Sequence, residues 1–407
     1  MATLADPTTT GETSLGEIFW YFLKLGWLAF GGPVGQIGLM HLEVVERRRW
    51  LDEEEFLQAL NFCHVLPGPE ALQLAIYIGW RKRGYVAGVL AGVLFILPGF
   101  LTLTALGWIY VRFGKRPEVL GILWGFRPVG LALLVAALVR ISRAALKGPF
   151  PVALAILAFF AFSVVRLPFL VVLIGCGALY IGWRTAAGRS AAAGATALAL
   201  LAPGQAHAAS PVAERLFDIS WFFLKVGLFS FGGAYAVLPY IREGAVTTYG
   251  WLTDHQMIDA LALGETTPGP LISIGIFVGY LAGYQRGAGL SGAVAATFWL
   301  FLPSFVFVLG AASHMRWLTS KARVKQFLQG VTCGVVGLMF SVSIVLARVA
   351  LAPGGRVDPW TVALALAAFL ALTFWKWRLN VVVVVLGGGV LGALRAFVPA
   401  LFGGPLS

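Results

Sequence analysis

Charge is scarce in this sequence. Only 12% of its 407 residues are Asp, Glu, Lys or Arg, with 18 acidic residues against 30 Lys and Arg. A soluble globular surface, which carries about twice that fraction of charge, is excluded. Cysteine is equally sparse. Cys63, Cys176 and Cys333 share no CxxC or metal-ligand spacing and lie in or beside apolar segments, so they read as packing residues. His41, His64, His207, His255 and His314 form no HExxH motif, and no GxSxG or paired membrane aspartates accompany them. An enzyme, a metal centre or a cofactor cradle is therefore not expected. The first dozen residues carry no basic n-region, so no cleaved signal peptide is expected either.

Hydrophobicity is what the chain has in excess. Apolar residues make up 59% of it, with a mean hydropathy of +0.85. A bilayer core needs about 20 apolar residues per helix, and runs such as "YVAGVLAGVLFILPGFLTLTALGWIYV" at 85–111 meet that length. These runs do not alternate polar and apolar residues as barrel strands would, so an all-α polytopic membrane protein in the cell inner (plasma) membrane is expected. The net charge of +12 lies in short Lys/Arg clusters between the runs, as topology signals do, and no nucleic-acid partner is expected. "GAGLSG" at 287–292 has the outline of a dinucleotide-type glycine pattern, but no strand precedes it, and small-residue helix packing explains it better.

The chain repeats itself. "YFLKLGWLAFGGP" at 21–33 answers "FFLKVGLFSFGGA" at 222–234, and "VLPGPE" at 65–70 answers "TTPGPL" at 266–271, all at an offset of 201. After small slips, "FILPGF" at 95–100 answers "WLFLPSF" at 299–305. This is an internal duplication. It divides the chain into a tail at 1–13, a first membrane repeat at 14–184, an Ala-rich linker at 185–213, a second repeat at 214–398 and a tail at 399–407.

Long runs at about 15–40, 85–111, 118–146, 149–165 and 168–184 suggest five crossings in the first half, and the second half repeats them. The shorter broken elements at 54–80 and 255–285 read as re-entrant hairpins. An odd number of crossings makes the two halves inverted relative to each other. Placing the acidic N-terminal tail outside puts most Lys and Arg clusters, Arg81 to Arg83 and Arg140 to Lys147 among them, inside. If the linker also crosses, the halves become parallel.

A helix that stops inside a membrane leaves backbone groups without partners, so each break marks a place where something polar is expected. The breaks fall at Gly31 and Gly32, at Gly232 and Gly233, and at the tips Pro67, Gly68, Pro69 and Pro268, Gly269, Pro270. Helix N-termini at such tips carry partial positive charge and suit an anion. Lys24, Lys225 and Arg127 add intramembrane cations, each costing at least about 2.5–3.5 kcal/mol unless paired or functional. The alternative for the lysines is snorkelling, or pairing with Glu17 or Asp218. The second-half counterpart of Arg127 is Thr332, so the site is not symmetric. His64 and its counterpart Glu265 flank the two tips, and Glu70 follows the first. These three are the proton-coupling candidates, with a dipole carboxylate and a hydrogen-bonded buried histidine as the structural alternatives.

At these residues the chain resembles the chromate ion transporter family, in its long two-domain form. "LKLGWLAFGGPVGQIG", "LPGPEALQLAIYIGW", "FLKVGLFSFGGAYAVLPYI" and "TPGPLISIGIFVGY" carry the likeness, which covers about 14–397. Arg127 matches a basic position in the family's first-half "G-x-R-P" stretch. The resemblance implies export of chromate, with sulfate as the look-alike tetrahedral dianion, and no cofactor. Proton coupling is our expectation. A passive oxyanion channel of the same architecture is the alternative. Because one chain holds both halves, a homodimer would be an addition.

Overall fold

The computed structural model describes residues 13–30, 32–186, 212–231, 234–315, 322–352, 355–375 and 380–397. Gly31, Gly232 and Gly233 of the expected glycine pairs, and all but the ends of the linker, lie outside the described residues. Among the described residues there is helix and no strand.

The first helix, α1 (Leu15–Leu28), starts at a capping box: the Ser14 hydroxyl accepts from the Glu17 amide and the Glu17 carboxylate accepts from the Ser14 amide. It ends before the glycine pair, and α2 (Gly32–His41) continues into a π-helical turn at Leu42–Arg47. The chain then comes back alongside α1, for the Arg48 guanidinium lies over the rings of Tyr21 and Trp50 at 5.2 and 5.1 Å. The single crossing expected over 15–40 is therefore two shorter helices that fold back on one another. At this end Glu43 sits below the ordinary carboxylate range: burial pushes it up, but hydrogen bonds from Arg48 and Arg47 outweigh that.

Helix α3 (Glu53–Cys63) runs inward to the first Pro-Gly-Pro tip, and α4 (Glu70–Phe113) leaves it. At Arg83 and Gly84 the backbone of α4 is non-helical, dividing it into a short arm and a long one. Arg81 pairs with Glu55 at 2.5 Å, and Arg83 donates to the Thr13 carbonyl at 3.5 Å. The start of α1, the start of α3 and the outer end of the short arm thus share one end of the molecule. Thr13 lies beside Arg83, not across the molecule from it as the charge argument implied. Residues 85–113 then run about 43 Å to the other end.

The remaining first-half helices are α5 (Pro117–Ala145), α6 (Pro149–Ser163) and α7 (Phe169–Ala186). The second half supplies α8 (Val212–Leu228), α9 (Leu238–Arg242), α10 (Asp254–Thr266), α11 (Ile274–Tyr284), α12 (Gly289–Ala311), α13 (Ala322–Leu351), α14 (Pro359–Phe374) and α15 (Asn380–Phe397). First-half contacts recur here. His41 meets Glu53 at 2.6 Å, and 201 residues on Arg242 meets Asp254 at 2.8 Å. Tyr21 meets Trp50 edge-on, as Phe222 meets Trp251. Trp251 and Gln285 share a cavity wall with Gly114 and Lys115, at the end of α4 far from Arg83.

Two bodies make up the described structure. The core gathers α1–α4 and α8–α12. Gly26 and Gly227 let α1 and α8 close on the carbonyls of Leu94 and Leu300, next to Pro98 and Pro303. The second body is a bundle of α5, α6, α7, α13, α14 and α15, in which α5 packs on α15 and α13 on α7. Small residues set that approach: a Cβ on Gly125 would fall 1.9 Å from the Gly388 carbonyl, and one on Gly392 would fall 2.1 Å from that of Gly121. The three cysteines are buried thiols, and Cys176 packs on Gly334 in the α7–α13 contact.

Core and bundle do not share one symmetry. Helices α5, α13 and α15 all pack on α10, whereas α3, its counterpart, packs appreciably only on α4. Ile258, Ala262 and Glu265 of α10 are accordingly buried, and the equivalent Leu57, Asn61 and His64 of α3 are exposed.

Candidate functional site

The site begins where four broken ends meet. Gly68, with φ of 129°, turns the first tip and donates its amide to the Ser230 carbonyl at 2.8 Å. Gly269, with φ of 103°, does the same at the second tip and donates to the Ala29 carbonyl at 3.1 Å. Each tip is thus tied to the break of the other half's first helix. Gln73 Nε2 braces the first tip by donating to the Pro67 carbonyl at 2.7 Å. Gln36 Nε2 reaches both Ala29 and Gly269 carbonyls, at 3.0 and 2.7 Å. Pro69 and Pro270 start the helical turns that leave the tips, and Gly99 packs on the Pro268 carbonyl. The amides of Gly68 and Gly269 are consumed by these ties, so the anion-binding donors expected there are fewer than the sequence suggested.

Two polar cavities lie along α5. One, of about 510 Å³, is lined by Gly32, Pro33, Arg140, Arg143, Tyr235 and Glu265, with Thr373 and Asn380 on its far wall. The Tyr235 hydroxyl donates to the Glu265 carboxylate there. The other, of about 390 Å³, is lined by Tyr110, Lys115, Arg127, Trp251, Gln256 and Gln285. Arg127 and Leu133 face different cavities, and Gly130 between them packs against Ile258 and Ala262 of α10.

Arg127 is not alone. Its Nε and Nη2 donate to the two carboxylate oxygens of Asp259, at 2.9 and 3.3 Å. The Tyr110 hydroxyl adds a third bond to Asp259 at 2.9 Å. Asp259 is 0% exposed, so this is a desolvated pair joining bundle to core.

The other expected residues are scattered. Lys24 is exposed on α1 and lines neither polar cavity. Lys225 is buried with its ammonium 5.6 Å from the Trp221 ring centre. His64 Nε2 stands 3.4 Å from Glu70, on the open face of α3. Sequence reasoning missed Asp259, Tyr235 and the place of Arg140 and Arg143 in a cavity wall, having read the two arginines as loop charges. The signal for Asp259 was present: an acid in an apolar run, unexplained by any cap.

Such an arrangement, apolar helices around broken tips and arginine-lined cavities, is that of a multi-pass α-helical membrane protein. The sequence profile described as "Chromate transporter" matches residues 16–183 and again 217–393, and the chain belongs to that family, which is one of transporters and not of enzymes. A "Chromate transport protein" of Pseudomonas aeruginosa is 39% identical over 394 residues, covering 94% of this chain and 92% of its own. Another from Cupriavidus metallidurans is 32% identical, covering 96% of each. A "Probable chromate transport protein" of Synechococcus elongatus is 31% identical, over 82% of this chain and 85% of its own. No solved structure matches the chain.

Proposed function

We propose that this protein is a carrier exporting chromate across the inner membrane, and that the anion travels along the α5–α10 contact between the two cavities. The observation that carries this reading is the pair of arginine-lined cavities on one helix, closed from each other by Gly130 packed on α10. Arg140 and Arg143 collect the dianion at one end beside the α2 N-terminus, and Arg127 with Lys115 receives it at the other. Glu265, held by Tyr235 in the first cavity, is the coupling acid of this scheme, with His64 as its counterpart at the end of α3 and Glu70 beside it at the start of α4. The tips at 67–69 and 268–270 are scaffolding that fixes where the pathway narrows.

The halves are read as inverted repeats with half-membrane hairpins. Support comes from the recurrence of the same contacts at the Arg83 end in one half and at the Lys115 end in the other. The Arg83 end, with Arg140 and Arg143 at the same end of α5, is the cytoplasmic one on the positive-inside rule. The bare face of α3 favours a carrier over a channel. In a carrier of inverted repeats, the opposite-facing state places the bundle on α3 as it now lies on α10.

The test is uptake by purified protein in vesicles, with chromate, sulfate, molybdate and phosphate in competition. Saturable chromate flux that sulfate inhibits and that responds to an imposed proton gradient is expected. Flux that never saturates supports the channel instead, and no flux with any oxyanion removes the reading.

A further inference from the structure

We infer that Asp259 is a resident counter-anion, which an oxyanion displaces from Arg127, so that arrival of an anion at Arg127 releases the bundle from α10. This rests on the carrier reading above, through Arg127. Three observations lead to it. The Asp259 carboxylate already makes with Arg127 the forked, two-bond contact that a tetrahedral dianion would make. Arg127 keeps a third nitrogen, Nη1, with no protein partner among the described residues, and it lines the cavity that Lys115 also lines. An anion arriving there meets one open donor first and can take the others from Asp259 in steps.

The third observation is where the pair sits. Arg127 belongs to the bundle, while Asp259 and Tyr110 belong to the core. The bond is therefore a latch between the two bodies. Its counterparts in the other half are Thr332 and Gln58, both neutral, so the swapped arrangement on α3 has no such latch. An empty carrier is held on α10, and an anion bound at Arg127 weakens that hold while losing none of its own charge pairing. Once displaced, the carboxylate keeps the Tyr110 hydrogen bond and gains water as α5 draws back. Besides Arg127 from α5 and Tyr110 from α4, only His255 of its own helix faces Asp259 electrostatically among the described residues.

The experiment compares wild type with Asp259→Asn, Asp259→Glu and Arg127→Gln, purified and reconstituted. Binding is read as the shift in melting temperature with sulfate or chromate, and flux is read separately. Removing the competitor in Asp259→Asn is expected to lower the apparent Kd and KM at least fivefold while kcat falls, because the anion is no longer pushed off. Arg127→Gln is expected to raise Kd more than tenfold. Asp259→Glu, which keeps the charge, is expected to hold Kd within about twofold of wild type. A merely structural role would cut protein yield and raise or leave KM. If Asp259→Asn does not fold, the double variant Arg127→Gln, Asp259→Asn removes both charges. It is expected to fold and to bind as weakly as Arg127→Gln alone. Unchanged or weakened binding in folded Asp259→Asn, tightened binding in Asp259→Glu, or near wild-type binding in the double variant overturns the inference. Absence of wild-type flux would defeat the carrier reading alone, since the binding comparison still stands.

Discussion

The amide of Gly68 donates to the carbonyl of Ser230 over 2.8 Å, and their repeat counterparts pair in the same way, Gly269 donating to the carbonyl of Ala29 over 3.1 Å. Two halves of one chain therefore complete each other's broken helices. Each tip's glycine amide finds its partner in the other half, which ties the two halves together where water is scarce.

The two ties differ in how much room surrounds them. At Gly68 a Cβ would fall 2.4 Å from Ser304 Oγ and 2.6 Å from Gln73 Nε2, whereas at Gly269 the nearest atom is 3.7 Å away. Both substitutions by Ala carry a backbone cost of about 1–2 kcal/mol, and Gly68→Ala adds overpacking of about 1–3 kcal/mol. Melting in detergent should show Gly68→Ala clearly less stable than Gly269→Ala. Equal losses would mean the tip is looser than described.

Helix α5 meets α15 through glycines, so bulk there should part the bundle. Gly125→Leu is expected to cost about 3 kcal/mol or more, the upper range for an overpacked contact. Gly310→Leu, where an added Cβ would meet no other part of the protein within 4 Å, is the control and should melt within about 0.5 kcal/mol of wild type. Similar behaviour of the two would contradict the close approach.

The ends of the molecule can be told apart by labelling. Single cysteines at Thr13 and Arg83 should react from one side of oriented vesicles, and one at Lys115 from the other. Thr13 reacting from the same side as Lys115 would restore the placement that charge alone suggested.

The anion-binding role proposed for the bundle arginines can be separated from that expected of the lysines. Arg140→Gln or Arg143→Gln should each raise KM for chromate about 10-fold, from the loss of a charge-assisted contact of about 1.5 kcal/mol. Lys24→Ala should stay within about twofold, because Lys24 lies on the exposed face of α1. A larger effect from Lys24 than from Arg140 would reverse the assignment.

Local signals in the sequence were the ones that held. The breaks at both Pro-Gly-Pro tips and the all-helical class follow from neighbours within a few residues. What could not be read was which face of each helix turns inward. In a membrane the outer face is as apolar as the core, so the polar stripe that orients a helix in water is missing. Lys24 and Lys225 occupy matching positions, yet one is exposed and the other buried. The partner of Arg127 was hidden for a related reason: Asp259 lies 132 residues away and meets it only because the bundle leans on α10 and not on α3. The sequence showed that Arg127 has no cationic counterpart, since Thr332 stands there, but not which of the two hairpins the bundle packs on.

That leaning is the central point of the account, and paired cysteines address it most directly. A Cβ on Gly130 would lie 3.4 Å from that of Ala262, within reach of a disulfide, and the matching positions in the other half are Val335 and Asn61. In protein with Cys63, Cys176 and Cys333 replaced, Gly130→Cys with Ala262→Cys should cross-link readily and stop chromate flux until reduced. Val335→Cys with Asn61→Cys should cross-link slowly, faster with chromate present, and stop flux as well. If the second pair never forms under any gradient or ligand, or if flux persists with the first pair locked, the bundle does not move between α10 and α3.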